Sequence, residues 1–508
     1  MLFGRPPGGF RLTSYVHYMD KDMNEVRDAE YPNVKNDTVD QVVDHFMIGS
    51  DTRRWKQRYF YNGEKVDKTK REGEEHPRWI GNKDIQIVQY ATQFGAHLFD
   101  LEHRFFGESR PINDMKTESL NLLTTDQALA DLAYFINLMN QAHNFTNPKW
   151  VTFGGSYPGA LSAFFRMKYP NLTVGAVASS APVNLALDFY DYGGVIHSVM
   201  GRTPLPNNVS CVELTRTAFK TMQQLSLTPD GRQQLNNYFN LQPPFDMTGQ
   251  MATKADINNF FSNIFNVFQG MTQYTYDGKS NNTRYDLTVQ KMCDILNTNN
   301  NGTVDPVANI FPLIQWYNQY WSNIDNTTSF DNSYQDTLVD LKKTNYSEIT
   351  DGGESRGWMW LCCNEIGYMQ TTDTDTVFGS VLPISYFFDM CHDMFDGHFD
   401  AKKIRDGNLA ARKNYGRFDP WHALGYFKNI PKKNIQYNVV DGIGHCCDMY
   451  PEYEGEPAGL KPARKQIVNF LSGILFGATP FPIPETTTQS SSTISILGGL
   501  FTLFLVLQ

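Results

Sequence analysis

Across residues 85–183, short apolar runs alternate with stretches in which apolar positions recur every three to four residues. That is the pattern of strands and amphipathic helices laid down in turn, as parallel α/β structure requires. Ala96-His97-Leu98-Phe99-Asp100 reads as a buried strand. A helix follows, with Ala128, Leu129, Leu132, Ala133 and Ile136 on one face and the capping pattern Thr124…Gln127 at its start. Trp150 to Phe153 then predicts a strand, Gly159 to Tyr169 a helix and Val174 to Ala178 another strand, with a tight turn at Ser156 between the first two.

From about 185 to 380 the texture changes to polar, Asn-rich segments with helical periodicity, for example Ile257, Phe260, Phe261, Ile264 and Phe265. No run of buried-strand type interrupts it, so a helical insertion able to roof an active site is expected. Strand character returns at Ile435 to Val440, and a last helix near Pro462 to Phe470 is expected to pack back on the sheet. The fold class that follows is α/β, an α/β-hydrolase core with an inserted helical cap. Its core spans 1–183 and 381–480, its cap 184–380, and a Ser/Thr/Pro stalk with a short apolar tail fills 481–508. There is no internal repeat.

Composition narrows the function classes. Aromatic residues at 14% within a hydrophobic total of 41% supply a packed interior, which excludes a disordered chain. The formal net charge of −10 comes from both signs scattered along the sequence, so no nucleic-acid footprint exists. The seven cysteines, Cys211, Cys293, Cys362, Cys363, Cys391, Cys446 and Cys447, form no C-x-x-C pair and no His cluster at zinc spacing. Disulfides are the expectation, with at least one thiol left over and connectivity open; no metal or cofactor is expected. Glycosylation sequons begin at Asn36, Asn144, Asn171, Asn208, Asn281, Asn301, Asn326 and Asn345, which fits a secreted chain.

The termini bear on location. MLFGRPPGGF lacks a basic region followed by an apolar one, so either the chain is cytosolic or the sequence begins downstream of a signal peptide. At the other end, the stalk Pro482 to Thr493 precedes the apolar run Ile494 to Leu507, too short to span a bilayer comfortably. Small residues before a short hydrophobic terminus suggest a GPI signal or a short membrane anchor; a disordered tail is the alternative.

The chemistry concentrates around WVTFGGSYPGALSAFF, where a strand runs into Gly154-Gly155-Ser156 and a helix runs out. Flanking glycines permit a strained turn, and the helix N-terminus favours negative charge beside the hydroxyl, as a nucleophile elbow needs. Pro158 stands where the strict G-x-S-x-G pattern has its second glycine, so a plain Gly-Ser turn capping a helix is an alternative. A serine hydroxyl needs a base, and the base a carboxylate that fixes its tautomer. Both follow in hydrolase order, with Asp419 in RFDPWHALG and His445 in VVDGIGHCCDMY. His103, His392, His398 and His422 fit ordinary polar, capping or surface roles.

GGSYPG, LEHRFFGESRP, TTDQALADLAYFI, FDPWHALG and the terminal His segment, in this order, resemble the prolyl carboxypeptidase and dipeptidyl peptidase II family of serine peptidases. The likeness covers roughly residues 4 to 475 and includes GRPPGGF and DHF…WKQRYFYN. It implies peptide substrates cleaved after proline or small residues near one terminus, and residence in lysosomes, outside the cell or at its surface. By motif position it makes Ser156 the nucleophile, Asp419 the orienting acid and His445 the base, with the Tyr157 backbone N–H donating to the oxyanion. It also implies a signal peptide ahead of the GRP segment.

The sequence departs from the family where NGEKVDKTKREGEEHPRW replaces an apolar strand and a GGEGP-like loop. A stretch this charged cannot be a buried central strand. Glu72 and Gly73 are what remains of the loop, Gly73 as second oxyanion donor and Glu72 beside the substrate. An apolar strand before Asp419 is missing as well. In WMWLCCNEIGYMQ, Leu361 replaces a typical Gln, while Cys363, Asn364 and Glu365 match. Glu365 and Trp421 are the further substrate-binding candidates; for Glu72 and Glu365 a solvated or structural acid is the alternative. Three readings remain: an active serine exopeptidase, a non-catalytic or impaired hydrolase-fold glycoprotein that binds peptides, and a lipase or esterase, which lacks its HGGG-type loop. A homodimer is compatible with the fold but has no mark in the sequence.

Overall fold

The computed structural model describes residues 31, 33–49, 51–63, 78–247, 250–275, 287–299, 302–322, 328–349, 353–374, 377–415, 435–440, 443–453, 455–477 and 501–507. These fall into two compact units, one holding 9–185, 343–361 and 410–508, the other 186–342 and 362–409.

In the first unit, alternating side chains set a six-stranded sheet. Its strands are β1 (Val34–Val42), β2 (Arg54–Asn62), β3 (His97–Glu102), β4 (Lys149–Gly155), β5 (Gly175–Ser179) and β6 (Phe501–Leu507), in the order β1-β2-β3-β6-β4-β5. β4 and β5 are parallel, while β6 runs antiparallel to both neighbours, with Leu101 opposite Thr502 and Val151 opposite Leu505. The place between β3 and β4 is thus filled from the far end of the chain, and the charged stretch at 64–77 lies outside the described residues. The apolar C-terminal run takes that place, and an uncharged segment is what a central strand requires.

Period-two alternation gives the sheet two apolar faces. Phe60, Leu98, Val151 and Phe153 meet Ile87, Val88 and Ala91 of helix α1 (Gln86–Phe94) and Leu471 and Leu475 of helix α4 (Leu460–Phe476). On the other face Tyr59 and Phe99 pack edge-on against Phe135 of helix α2 (Thr125–Ala142), with ring centroids 5.1 and 5.9 Å apart. Helix α3 (Tyr157–Lys168) joins that face through Ser162, whose Oγ donates to Thr152 Oγ1 at 2.8 Å. The predicted cap of α2 is present, with Thr124 Oγ1 accepting the Gln127 N–H at 3.2 Å.

The motif Leu101 to Pro111 is largely scaffold. Glu102 is fully buried, pairing with Arg58 and accepting the Ser109 hydroxyl at 2.7 Å. Arg104 is fully buried against Asp131 at 2.6 Å. Buried charges of this kind must be paired, and here both partners, Arg58 and Asp131, come from outside the motif.

Ile435 to Val440 departs from expectation. Only Ile435 of these makes a bridge, and the residues after it belong to no strand. All six remain at least partly exposed, so the apolar run here is not a buried strand, and among the described residues β5 is the last strand of the sheet on its side.

The second unit is helical. Lys254–Gln273 opens with a capping box between Thr253 and Asp256 and buries Phe260, Phe261, Ile264, Phe265 and Phe268. Rings of Phe219 and Phe378 complete that cluster. Disulfides join Cys211 to Cys293 and Cys363 to Cys391, so each ties two helical segments of this unit. Cys362, Cys446 and Cys447 lie outside them.

Candidate active site

β4 ends at Gly155 and α3 begins at Tyr157, leaving Ser156 to make the whole change of direction. It does so at φ 65 and ψ −132, a conformation L-residues rarely adopt. Its N–H donates to the Ser179 carbonyl at 2.9 Å, and its own carbonyl accepts from Ala160 at 3.0 Å, so the strain is held from both sides. Ser156 is fully buried, and its Oγ has no hydrogen-bond partner among the described residues.

Pro158 fits where a second glycine was expected. It stands in the first turn of α3, where a backbone N–H has no intrahelical acceptor to lose. The turn instead demands Gly154, because a Cβ there meets the Pro158 carbonyl carbon and oxygen at 2.2 Å. Gly154→Ala is therefore expected to cost about 1–3 kcal/mol or more through overpacking, read as a lower urea midpoint at unchanged m-value.

The His445 segment packs directly on this elbow. A Cβ on Gly155 has Cys446 Sγ and Met449 Sδ at 2.8 Å, so only glycine lets the segment approach so closely. The Cys446 N–H donates to Ser180 Oγ at 3.1 Å, just past β5. His445 is buried, and desolvation pushes its imidazole down to about 3, leaving it neutral at pH 7.

His103, treated in the sequence as an ordinary polar residue, is also buried beside the elbow. Its ring lies 6.0 Å from that of Tyr157 and 5.1 Å from that of Phe106, and Trp358 stands edge-on to Tyr157 at 5.7 Å. Burial pushes His103 down to about 4, and its Nδ1 lies 2.9 Å from the Arg104 carbonyl. Nothing local marks it, since a buried histidine next to an arginine reads as polar until the chain folds.

Other expected residues scatter. Asp419, Trp421, Glu72 and Gly73 lie outside the described residues. Glu365 belongs to the helical unit, on the turn Cys362–Ile366, half-buried, with its backbone carbonyl accepting from Asn408 Nδ2 at 2.9 Å. Among the sequons, Asn144, Asn171, Asn208 and Asn345 are exposed and Asn36 is half-buried on β1; Asn281, Asn301 and Asn326 lie outside the described residues. Among the described residues no group of His, Cys, Asp and Glu could hold a metal, and no helix is long and apolar enough to cross a membrane.

A strained serine between a strand and a helix, on a sheet with helices on both faces, defines an α/β-hydrolase-type serine peptidase. The chain belongs to the serine carboxypeptidase S28 family, which matches residues 41–467. A Caenorhabditis elegans protein named as a putative serine protease is 48% identical over 487 residues, covering 91% of this chain and 88% of its own. The human thymus-specific serine protease is 25% identical, covering 84% of each chain. The mouse lysosomal Pro-X carboxypeptidase is 26% identical, covering 86% of this chain and 89% of its own.

Proposed function

We propose that the chain is a serine exopeptidase acting through an acyl-enzyme, with Ser156 as nucleophile, His445 as general base and Asp419 as the acid that orients it. The observation that carries this is the backbone of Ser156, held in a strained conformation with the His445 segment packed on its neighbour Gly155. Strain of this kind persists only where the surroundings enforce it, and it aims a hydroxyl away from the turn. His445 takes the Ser156 proton as Oγ attacks the peptide carbonyl, then passes that proton to the departing amine; water releases the acyl group by the same route. The Tyr157 N–H lies in the first turn of α3, where N–H groups have no intrahelical acceptor, and it donates to the oxyanion.

The relatives named Pro-X carboxypeptidase favour cleavage after proline next to a free C-terminal carboxylate. A peptide with a blocked N-terminus and a C-terminal Pro-Xaa is then expected to be hydrolysed, and its C-terminal amide to resist. The reverse preference, for a free amine, makes the chain a dipeptidyl peptidase instead. Exposed sequons, two disulfides and relatives named lysosomal and extracellular support passage through the secretory route to lysosomes or outside the cell.

A second reading rests on the charged stretch from Gly63 to Glu75. If it supplies no second oxyanion donor, the rate falls by about 10²- to 10³-fold and the chain becomes an impaired, peptide-binding member of the family.

A further inference from the structure

The segment carrying His445 has little structure of its own. Cys447–Met449 makes one 3-10 turn, the Met449 N–H donates to the Cys446 carbonyl at 3.0 Å, and Cys446 sits in the left-handed region at φ 57. Such a segment holds one geometry only if groups outside it meet its backbone. Those groups come from two sides. At the end of β5 the Ser179 hydroxyl donates to the Asp448 carboxylate, and just past it Ser180 Oγ accepts the Cys446 N–H.

On the side of α4 a single guanidinium meets three carbonyls of the segment. Arg464 Nε donates to the Asp448 carbonyl at 3.2 Å, and Nη2 donates to the carbonyls of Cys447 and Tyr450 at 3.1 and 3.3 Å. Nη1 donates to both oxygens of Glu456 at 2.9 and 2.7 Å. The Arg464 side chain is 4% exposed and that of Glu456 12%, so the pair is withdrawn from water.

Burying a guanidinium is costly before any contact is made, and an apolar side chain could pack α4 on the sheet without that cost. An apolar side chain cannot fix three carbonyls within five residues of a histidine. Resting on the reading of Ser156 and His445 as nucleophile and base, we infer that Arg464 is a positioning residue that holds the His445 segment against the nucleophile elbow. Lysine cannot substitute fully, because its ammonium is a point donor while the planar fork reaches carbonyls in several directions at once. Displacing a catalytic group by about 1 Å typically costs about 10²-fold in rate.

The test uses the full chain and the dependence on probe concentration of the rate at which a fluorophosphonate labels Ser156. Arg464→Gln is combined with Glu456→Gln so that no lone carboxylate is buried. The expected result is a folded protein labelled about 10²-fold more slowly, with the loss in the maximal rate and not in the concentration for half-saturation. The acid limb of the labelling profile should also move up toward the ordinary histidine value, because a loosened segment admits water to the imidazole. A folded double variant with unchanged maximal rate and unchanged acid limb overturns the proposal. Should the double variant not fold, Arg464→Lys, which keeps a charge against Glu456, is read by the same two quantities. Absence of labelling in the unaltered protein, by contrast, overturns the nucleophile and base assignment itself.

Discussion

Ser156→Ala is expected to abolish fluorophosphonate labelling and to lower peptide turnover by about 10⁴- to 10⁶-fold, with melting temperature unchanged or slightly raised. The two halves have separate causes. Turnover falls because no other group on the elbow can carry the acyl chain, and the members of a triad act as a unit. Stability does not fall, because the Ser156 Oγ has no partner among the described residues, and its removal strands no donor or acceptor among them. Alanine also meets the same backbone strain at φ 65 as serine does. Labelling and stability can be read on one preparation, by mass of the labelled peptide and by a melting curve. Labelling that persists in the alanine variant removes Ser156 from the mechanism. Turnover absent from the unaltered protein, with Ser156→Ala equally folded, favours the peptide-binding reading.

Truncation after Thr493 is expected to yield little or no folded protein. It removes β6 from between β3 and β4, leaving the pieces β1-β2-β3 and β4-β5 with two unpaired edges in the middle of the core. Unsatisfied backbone groups in such a position are costly, and open edges invite pairing with other chains. A two-stranded remnant is not stable by itself. The expectation that the same tail is a membrane-anchoring signal makes the opposite prediction, a soluble and folded truncated form, since such a tail is removed in the mature protein. The yield of monomeric protein on gel filtration separates the two.

Much of this protein is legible along the chain. Period-two and period-3.6 patterns located β3, β4, α2 and α3, and the cap at Thr124 is where the sequence pattern predicts it. These are local matters, since a helix cap or an amphipathic face is decided by residues within a few positions of one another. The glycines before Ser156, with a strand before them and a helix after, likewise announced the elbow.

Other features wait for the fold, because they depend on which distant backbones meet. Ile435 to Val440 carries strand-like residues yet forms no strand among the described residues, since strand-like composition alone does not complete a ladder. Phe501–Leu507 reads as a tail and becomes a central strand, because an apolar run of that length has no local mark telling sheet interior from terminus. Pro158 looks like a defect in a motif until Gly154 is seen to be the residue that the turn compresses. His103 and Arg464 acquire meaning only in three dimensions, one by lying beside Tyr157, the other by meeting the carbonyls of Cys447, Asp448 and Tyr450. The sequence by itself determined the local elements and the order of the catalytic candidates, which are set by short-range periodicity and capping. The tertiary structure alone decided the strand order and the partners of buried polar groups, because pairing and burial are properties of chain segments far apart in sequence.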